Sequence, residues 1–102
     1  MNNVIVQINF DFDIPKDKLT EHATKVAGMF AKIDGLLWKI WLVNESEHLT
    51  GGIYLFENKK KAQAYVDGEV VAKLKRDWTN VNVKIFDTIK EASAITRAPL
   101  PD

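Results

Sequence analysis

One stretch of the sequence decides the fold: Gly35-Leu36-Leu37-Trp38-Lys39-Ile40-Trp41-Leu42-Val43. Successive side chains of a β-strand point to opposite faces, so this stretch predicts a strand with apolar residues on both faces. The two sets are Leu36, Trp38, Ile40 and Leu42 on one face, and Leu37, Lys39, Trp41 and Val43 on the other. A strand that is apolar on both faces must be covered on both faces. We therefore expect it in a sheet with packing layers on each side.

The segments around this strand predict the element order β-α-β-β-α-β. The predicted elements are a strand over Val4–Phe12, a helix over Pro15–Asp34, the strand Leu36–Val43, a strand over Gly52–Phe56, a helix that begins at Asn58 and breaks near Gly68, and a strand over Val81–Asp87. This order is typical of the ferredoxin-like plait, an α+β fold whose four-stranded antiparallel sheet carries both helices on one face. A length of 102 residues indicates one domain over residues 1–102, in which 89–102 form a tail.

The two faces of the central strand indicate a partner subunit. Because the helices cover one face only, the other face would expose a larger apolar patch than a soluble monomer usually does. A two-fold homodimer that packs sheet on sheet, a dimeric α+β barrel, is the simplest way to cover it. Trp38 and Trp41 are three residues apart and therefore point to opposite faces of the strand, and Trp41 shares its face with Lys39. We therefore place Trp41 and Val43 at the dimer interface and Trp38 in a helix-side pocket, and expect the tail to reach the partner.

Composition excludes several functional classes. Lys and Arg number 14, as do Asp and Glu, and this zero formal charge argues against a nucleic-acid partner. The absence of cysteine excludes a thiolate nucleophile and cysteine-ligated metal, and fits a reducing compartment. No signal peptide is recognisable at the start of the sequence, and the central apolar stretch is too short to span a bilayer. We expect a cytoplasmic protein without a membrane partner.

Two motifs resemble the signature of the YdhR-type monooxygenase family: the stretch Gly35–Trp41 and the segment Gly51-Gly52-Ile53-Tyr54-Leu55-Phe56. The supporting segments are Gln7–Phe10, Ala62–Tyr65 and Val83–Asp87. The resemblance covers nearly the whole chain in order, although Asn9 and the Asp67-Gly68 break depart from it. It implies a dimeric α+β barrel and a small oxygenase that needs no cofactor. It also implies an aromatic or quinone-like substrate and molecular oxygen as the second reactant.

Oxygenation without a cofactor needs aromatic walls, exclusion of water and hydrogen bonds to the substrate oxygen. The residues that we expect to bind substrate are Asn9, Trp38, Tyr54 and Tyr65. His22 borders the apolar stripe of the first helix, and an unperturbed histidine pKa near 6.5 suits a general base. Tyr65 lies on the stripe of the second helix and can hydrogen-bond a substrate oxygen. His22 and Tyr65 are therefore the predicted catalytic residues.

Three other interpretations are weighed against the oxygenase. The same pocket would also serve a non-enzymatic dimer that binds an apolar small molecule without turnover. A haem-binding or haem-degrading barrel needs an axial histidine, for which His22 is the candidate. A metal site at His48, Glu45 and Glu47 lacks a spaced second histidine, so we expect no metal.

Overall fold

The computed structural model describes residues 2–101. Its elements are β1 (Val4–Asp11), α1 (Lys16–Phe30), β2 (Leu36–Asn44), β3 (Leu49–Phe56), α2 (Lys59–Val66), α3 (Glu69–Asp77), β4 (Thr79–Asp87) and α4 (Lys90–Ile95). The strands form one four-stranded sheet in the order β2-β3-β1-β4, and each neighbouring pair is antiparallel. The predicted α+β plait is therefore confirmed. No helix within residues 2–101 combines the length and the apolar character that crossing a membrane requires.

Local signals in the sequence set most of the helix ends. Pro15 occupies the N-cap position of α1, but the helix ends at Phe30, four residues before the predicted Asp34, with Ala31 as its C-cap. Gly35 lies in the turn before β2, with a φ of +82° that a residue with a side chain rarely adopts. The Asn58 side chain accepts a hydrogen bond of 2.9 Å from the backbone nitrogen of Lys61 and so caps α2. Gly68 separates α2 from α3, as the interrupted apolar stripe predicts. The short helix α4 in the tail was not predicted.

The core lies between the central strands and the helices. Alternate residues of β1 and β3 point to this side, and α2 and α3 close over them. The buried members are Val4, Val6, Ile8, Tyr54, Phe56, Ala62, Tyr65 and Val71. Phe30 of α1 and Leu36 of β2 pack against this cluster and are half-buried. The sheet face that carries this cluster is called the helix side below, and the opposite face the open face.

The register of β2 against β3 shows on which face of the sheet Trp38 and Trp41 each lie. Lys39 pairs with Tyr54 and Trp41 pairs with Gly52, so Lys39 and Trp41 lie on the helix side. Val43 pairs with Thr50 and lies on the same side. The prediction that Trp41 and Val43 lie on the face away from the helices is therefore wrong. The physical reason is that Gly52 has no side chain, which leaves room across β3 for the stem of Lys39.

Trp38 lies on the open face, opposite the position predicted for it. It pairs with Leu55, after a register shift between Leu36 and Trp38 that brings Leu36 to the helix side. The open face is apolar, with Ile40 50 % and Phe86 46 % exposed. At its β2 edge, the indole nitrogen of Trp38 donates a 2.9 Å hydrogen bond to the carbonyl of Pro99. The tail thus returns to β2 of its own chain.

Candidate active site

Four aromatic side chains meet on the helix side, each from a different element. Phe30 comes from α1, Trp41 from β2, Tyr54 from β3 and Tyr65 from α2. The ring centroids of Phe30 and Trp41 are 5.0 Å apart, and those of Tyr54 and Tyr65 are 5.2 Å apart. Phe30 joins the two pairs, at 6.5 Å from Tyr54. These four residues are called the aromatic cage below.

The amine of Lys39 lies against three of the four rings of the aromatic cage. Its Nζ is 3.2 Å from the ring centroid of Trp41, 4.0 Å from that of Phe30 and 4.5 Å from that of Tyr54. Removal of the amine from water disfavours its charged form. Burial accordingly lowers the pKa of Lys39 to about 7. Within residues 2–101, no carboxylate forms an ion pair with this amine.

Gly52 makes the position of Lys39 possible. A Cβ atom at residue 52 would lie 2.6 Å from Cε of Lys39 and 3.2 Å from the backbone oxygen of Ile40. The first distance is far below van der Waals contact, so a larger residue would push the lysine stem aside. The glycine thus keeps a groove across β3 in which the lysine side chain lies.

Tyr54 and Tyr65 form a buried pair of phenols. The Tyr65 hydroxyl hydrogen-bonds to the Tyr54 hydroxyl at 3.3 Å, and both residues are buried. Burial is the main cause that raises the pKa of Tyr54 far above its ordinary value, and the neighbouring Tyr65 adds to it. Burial also raises the pKa of Tyr65. Both phenols therefore stay protonated, and because their mutual bond uses only one hydroxyl proton, the other can be donated to a ligand.

The cage is open at the β2 edge of the sheet. Trp41 is 37 % exposed and Val43 is 43 % exposed, although both lie on the side that the helices cover. A flat aromatic molecule could approach Trp41 from this edge. The arrangement therefore offers apolar walls, a protonated donor pair and an amine that changes charge near neutral pH.

The structure brings together two of the predicted site residues, Tyr54 and Tyr65. Asn9 lies on the open face, where its side-chain oxygen accepts a 3.1 Å hydrogen bond from Gln7. The expectation that Asn9 and Trp38 share a helix-side pocket with the tyrosines is therefore wrong. The alternation of β1 in the sequence already separates Asn9 from Val6 and Ile8, whereas the face of Trp38 depends on the register of β2.

His22 is exposed on α1 and belongs to no aromatic or polar cluster among the described residues. Its predicted roles, as a general base or as a haem ligand, therefore gain no support from the geometry. For Lys39, the sequence favours a side chain that reaches past the sheet edge to water over a role as a base, because a lysine stem can cover apolar surface while its amine stays solvated. The signal that could have found this lysine is Gly52, which is the register partner of Trp41 and lies diagonally across the hairpin from Lys39.

Comparisons with known proteins agree with this architecture. A family model described as "Putative mono-oxygenase ydhR" matches residues 5–99. No curated protein matches the chain. Similar solved structures include protein NE2512 of Nitrosomonas europaea, of unknown function, with a TM-score of 0.68, 13 % identity and coverage of 87 % of this chain and 91 % of that one.

A second similar structure is a mutant of SnoaB, described as a cofactor-independent oxygenase from Streptomyces nogalater. Its TM-score is 0.66 at 12 % identity, with coverage of 87 % of this chain and 95 % of SnoaB. A third, protein YJCS, has a TM-score of 0.61 at 14 % identity and coverage of 86 % and 97 %. At these identities the likeness shows the fold alone, an α+β plait with a four-stranded antiparallel sheet.

Proposed function

Since this chain belongs to the ydhR mono-oxygenase family, we propose that it is a mono-oxygenase that uses no cofactor and oxidises small aromatic or quinone-like molecules. The observation that carries the proposal is the aromatic cage, in which two buried, protonated phenols lie beside the edge-to-face pair of Phe30 and Trp41. The fold shared with SnoaB, a cofactor-independent oxygenase by its description, adds support.

An electron-rich aromatic substrate can react with oxygen directly once it has lost a proton. For an anthrone, the carbanion gives one electron to O2, and the resulting radical pair combines to form a C–O bond. Protonation of the peroxide and loss of water then give the quinone, so that a CH2 group and O2 become a carbonyl group and water. In the cage, the rings would exclude water, and the phenol pair would stabilise the negative oxygen of the substrate.

Oxygen uptake tests this function. Purified protein, freed of flavin and treated with a chelator, is mixed with a panel of anthrones and hydroquinones in an oxygen electrode. We expect consumption of one O2 per anthrone and formation of the quinone, faster than with heat-denatured protein. In Tyr65→Phe we expect kcat to fall about 10²- to 10³-fold, since the hydrogen bond to a developing oxyanion is lost or reorganised. Tight binding of the panel without any uptake would contradict the oxygenase and favour the non-enzymatic binder.

We also propose that the protein works as a two-fold homodimer in which the open faces pack on each other. Exposed Ile40 and Phe86, together with half-buried Trp38, Leu42 and Ile53, give this face the character of an interface. A dimer through this face would leave the cage on the far side of each sheet. Each subunit would then carry its own site, as a two-fold axis requires.

A further inference from the structure

We propose that Lys39 is the base that removes the proton from the substrate, which makes the substrate an aromatic compound with an enolisable CH2 or an acidic phenol. This inference rests on the proposed oxygenase function and names the group on which its first chemical step depends. The observation behind it is the position of the amine, held against the faces of Trp41, Phe30 and Tyr54 in the opening of the cage.

The geometry places an acceptor and a donor of protons on the same side of the sheet. Lys39 and Tyr54 are register partners on β2 and β3, and the Tyr54 hydroxyl is hydrogen-bonded to Tyr65. A substrate stacked at the open edge, beside half-exposed Trp41, could therefore meet the amine at its acidic hydrogen and a phenol at its oxygen. Gly52 leaves room for this arrangement, because a Cβ atom there would push the end of the lysine side chain aside.

The surroundings of the amine make it a base at neutral pH. The titratable groups that face it are Tyr54 from β3 and, behind that ring, Tyr65 from α2, whereas α1 contributes the apolar Phe30. Since burial is the sole cause that lowers the pKa of Lys39 to about 7, about half of the amine is neutral at pH 7. An ordinary lysine, with a pKa of about 10.4, is only about 0.04 % neutral at that pH.

The proton transfer needs only the substrate and the neutral amine of Lys39. A C–H or O–H bond of the substrate breaks, an N–H bond forms on Lys39, and the electron pair stays on the substrate as a delocalised anion. The new ammonium group then lies next to that anion in a site of low dielectric constant, where their attraction is strong. After O2 has accepted an electron and formed the C–O bond, the ammonium returns the proton to the peroxide oxygen, which restores the neutral amine. For a CH2 substrate, the hydroperoxide then loses water, with the second hydrogen of that carbon, to give the carbonyl group.

The test compares Lys39→Met, which keeps an unbranched apolar stem, with Lys75→Met at an exposed lysine of α3. For the unaltered protein we expect kcat/KM to rise with pH and level off above about 7, because only the neutral amine accepts a proton. Lys39→Met should lower kcat/KM by about 10²- to 10⁴-fold and abolish this rise, with product affinity changed by less than about threefold. Lys75→Met should match the unaltered protein.

The outcomes separate this inference from the proposed function. Oxygen uptake that persists in Lys39→Met within about threefold, with the same pH profile, would overturn the role of Lys39 and leave the oxygenase standing. No uptake by the unaltered protein would overturn both. Reductive methylation with ¹³C-formaldehyde adds a readout that needs no substrate: besides the α-amine signal, we expect a dimethylamine NMR signal that titrates near 7 and is missing in Lys39→Arg. A Lys39 signal that titrates above 9 would also overturn the assignment.

Discussion

Alanine in place of Gly51 is expected to lower the free energy of unfolding by about 3 kcal/mol or more. Gly51 lies in β3, between β1 and β2, with a φ of +149° that side chains disfavour. A Cβ atom there would collide with the backbone oxygen of Ile8 and lie 2.9 Å from Cα of Asn9. These atoms belong to the neighbouring strand, so relief of the collision requires the β1–β3 pairing to open.

The matched control is the same substitution at Gly28, on the exposed side of α1. A Cβ atom at residue 28 would meet nothing within 4 Å, and alanine favours the helix by about 0.5–1 kcal/mol over glycine. Denaturant unfolding at one protein concentration should therefore show shifts of opposite sign. A change of less than 0.5 kcal/mol in Gly51→Ala would mean that β3 does not have this backbone conformation.

Aspartate in place of Ile40 is expected to dissociate the proposed homodimer. Ile40 is 50 % exposed and lies on the open face, paired with Ile53 in the middle of the β2–β3 ladder. A two-fold interface would bury two such carboxylates, each without a partner and each destabilising by about 3 kcal/mol or more. The dimer should therefore weaken by at least about 10⁴-fold.

Val43→Asp is the control for the dimer, because Val43 belongs to the same strand and is similarly exposed but lies on the helix side. Sedimentation velocity at micromolar concentration should give a dimer mass for Val43→Asp and a monomer mass for Ile40→Asp. The opposite result, dissociation by Val43→Asp alone, would restore the face assignment made from the sequence. A monomer in the unaltered protein would contradict the dimer itself.

The period-two pattern predicts the strands well, but not where β3 begins. The structure starts β3 at Leu49, three residues before the predicted Gly52, and places Gly51 and Gly52 inside the strand. From the local sequence alone, two adjacent glycines are expected in a turn. Here they lie inside a strand, and their role is in contacts with the neighbouring strands. Gly51 allows close approach of the β1 backbone, and Gly52 makes room for Lys39.

Part of the candidate site can be predicted from the sequence, and the rest cannot because it depends on tertiary contacts. Tyr54 and Tyr65 could be found because each lies on an apolar face of its own element. Strand alternation puts Trp38 and Trp41 on opposite faces of β2 but does not show which face the helices cover. The charge of Lys39 favours the wrong assignment of the two faces. A lysine is expected near water, but the structure shows its stem in the groove at Gly52 and its amine against aromatic rings.

The most direct test of the site is a crystal structure of the protein with a hydroxylated anthraquinone, the kind of product that the proposed reaction forms. We expect the ring system to stack on Trp41 within the aromatic cage, with its oxygen atoms within hydrogen-bond distance of Lys39 or of the Tyr54–Tyr65 pair. A quinone bound instead on the open face, against Trp38 and Ile40 and away from Lys39, would contradict the helix-side location of the active site.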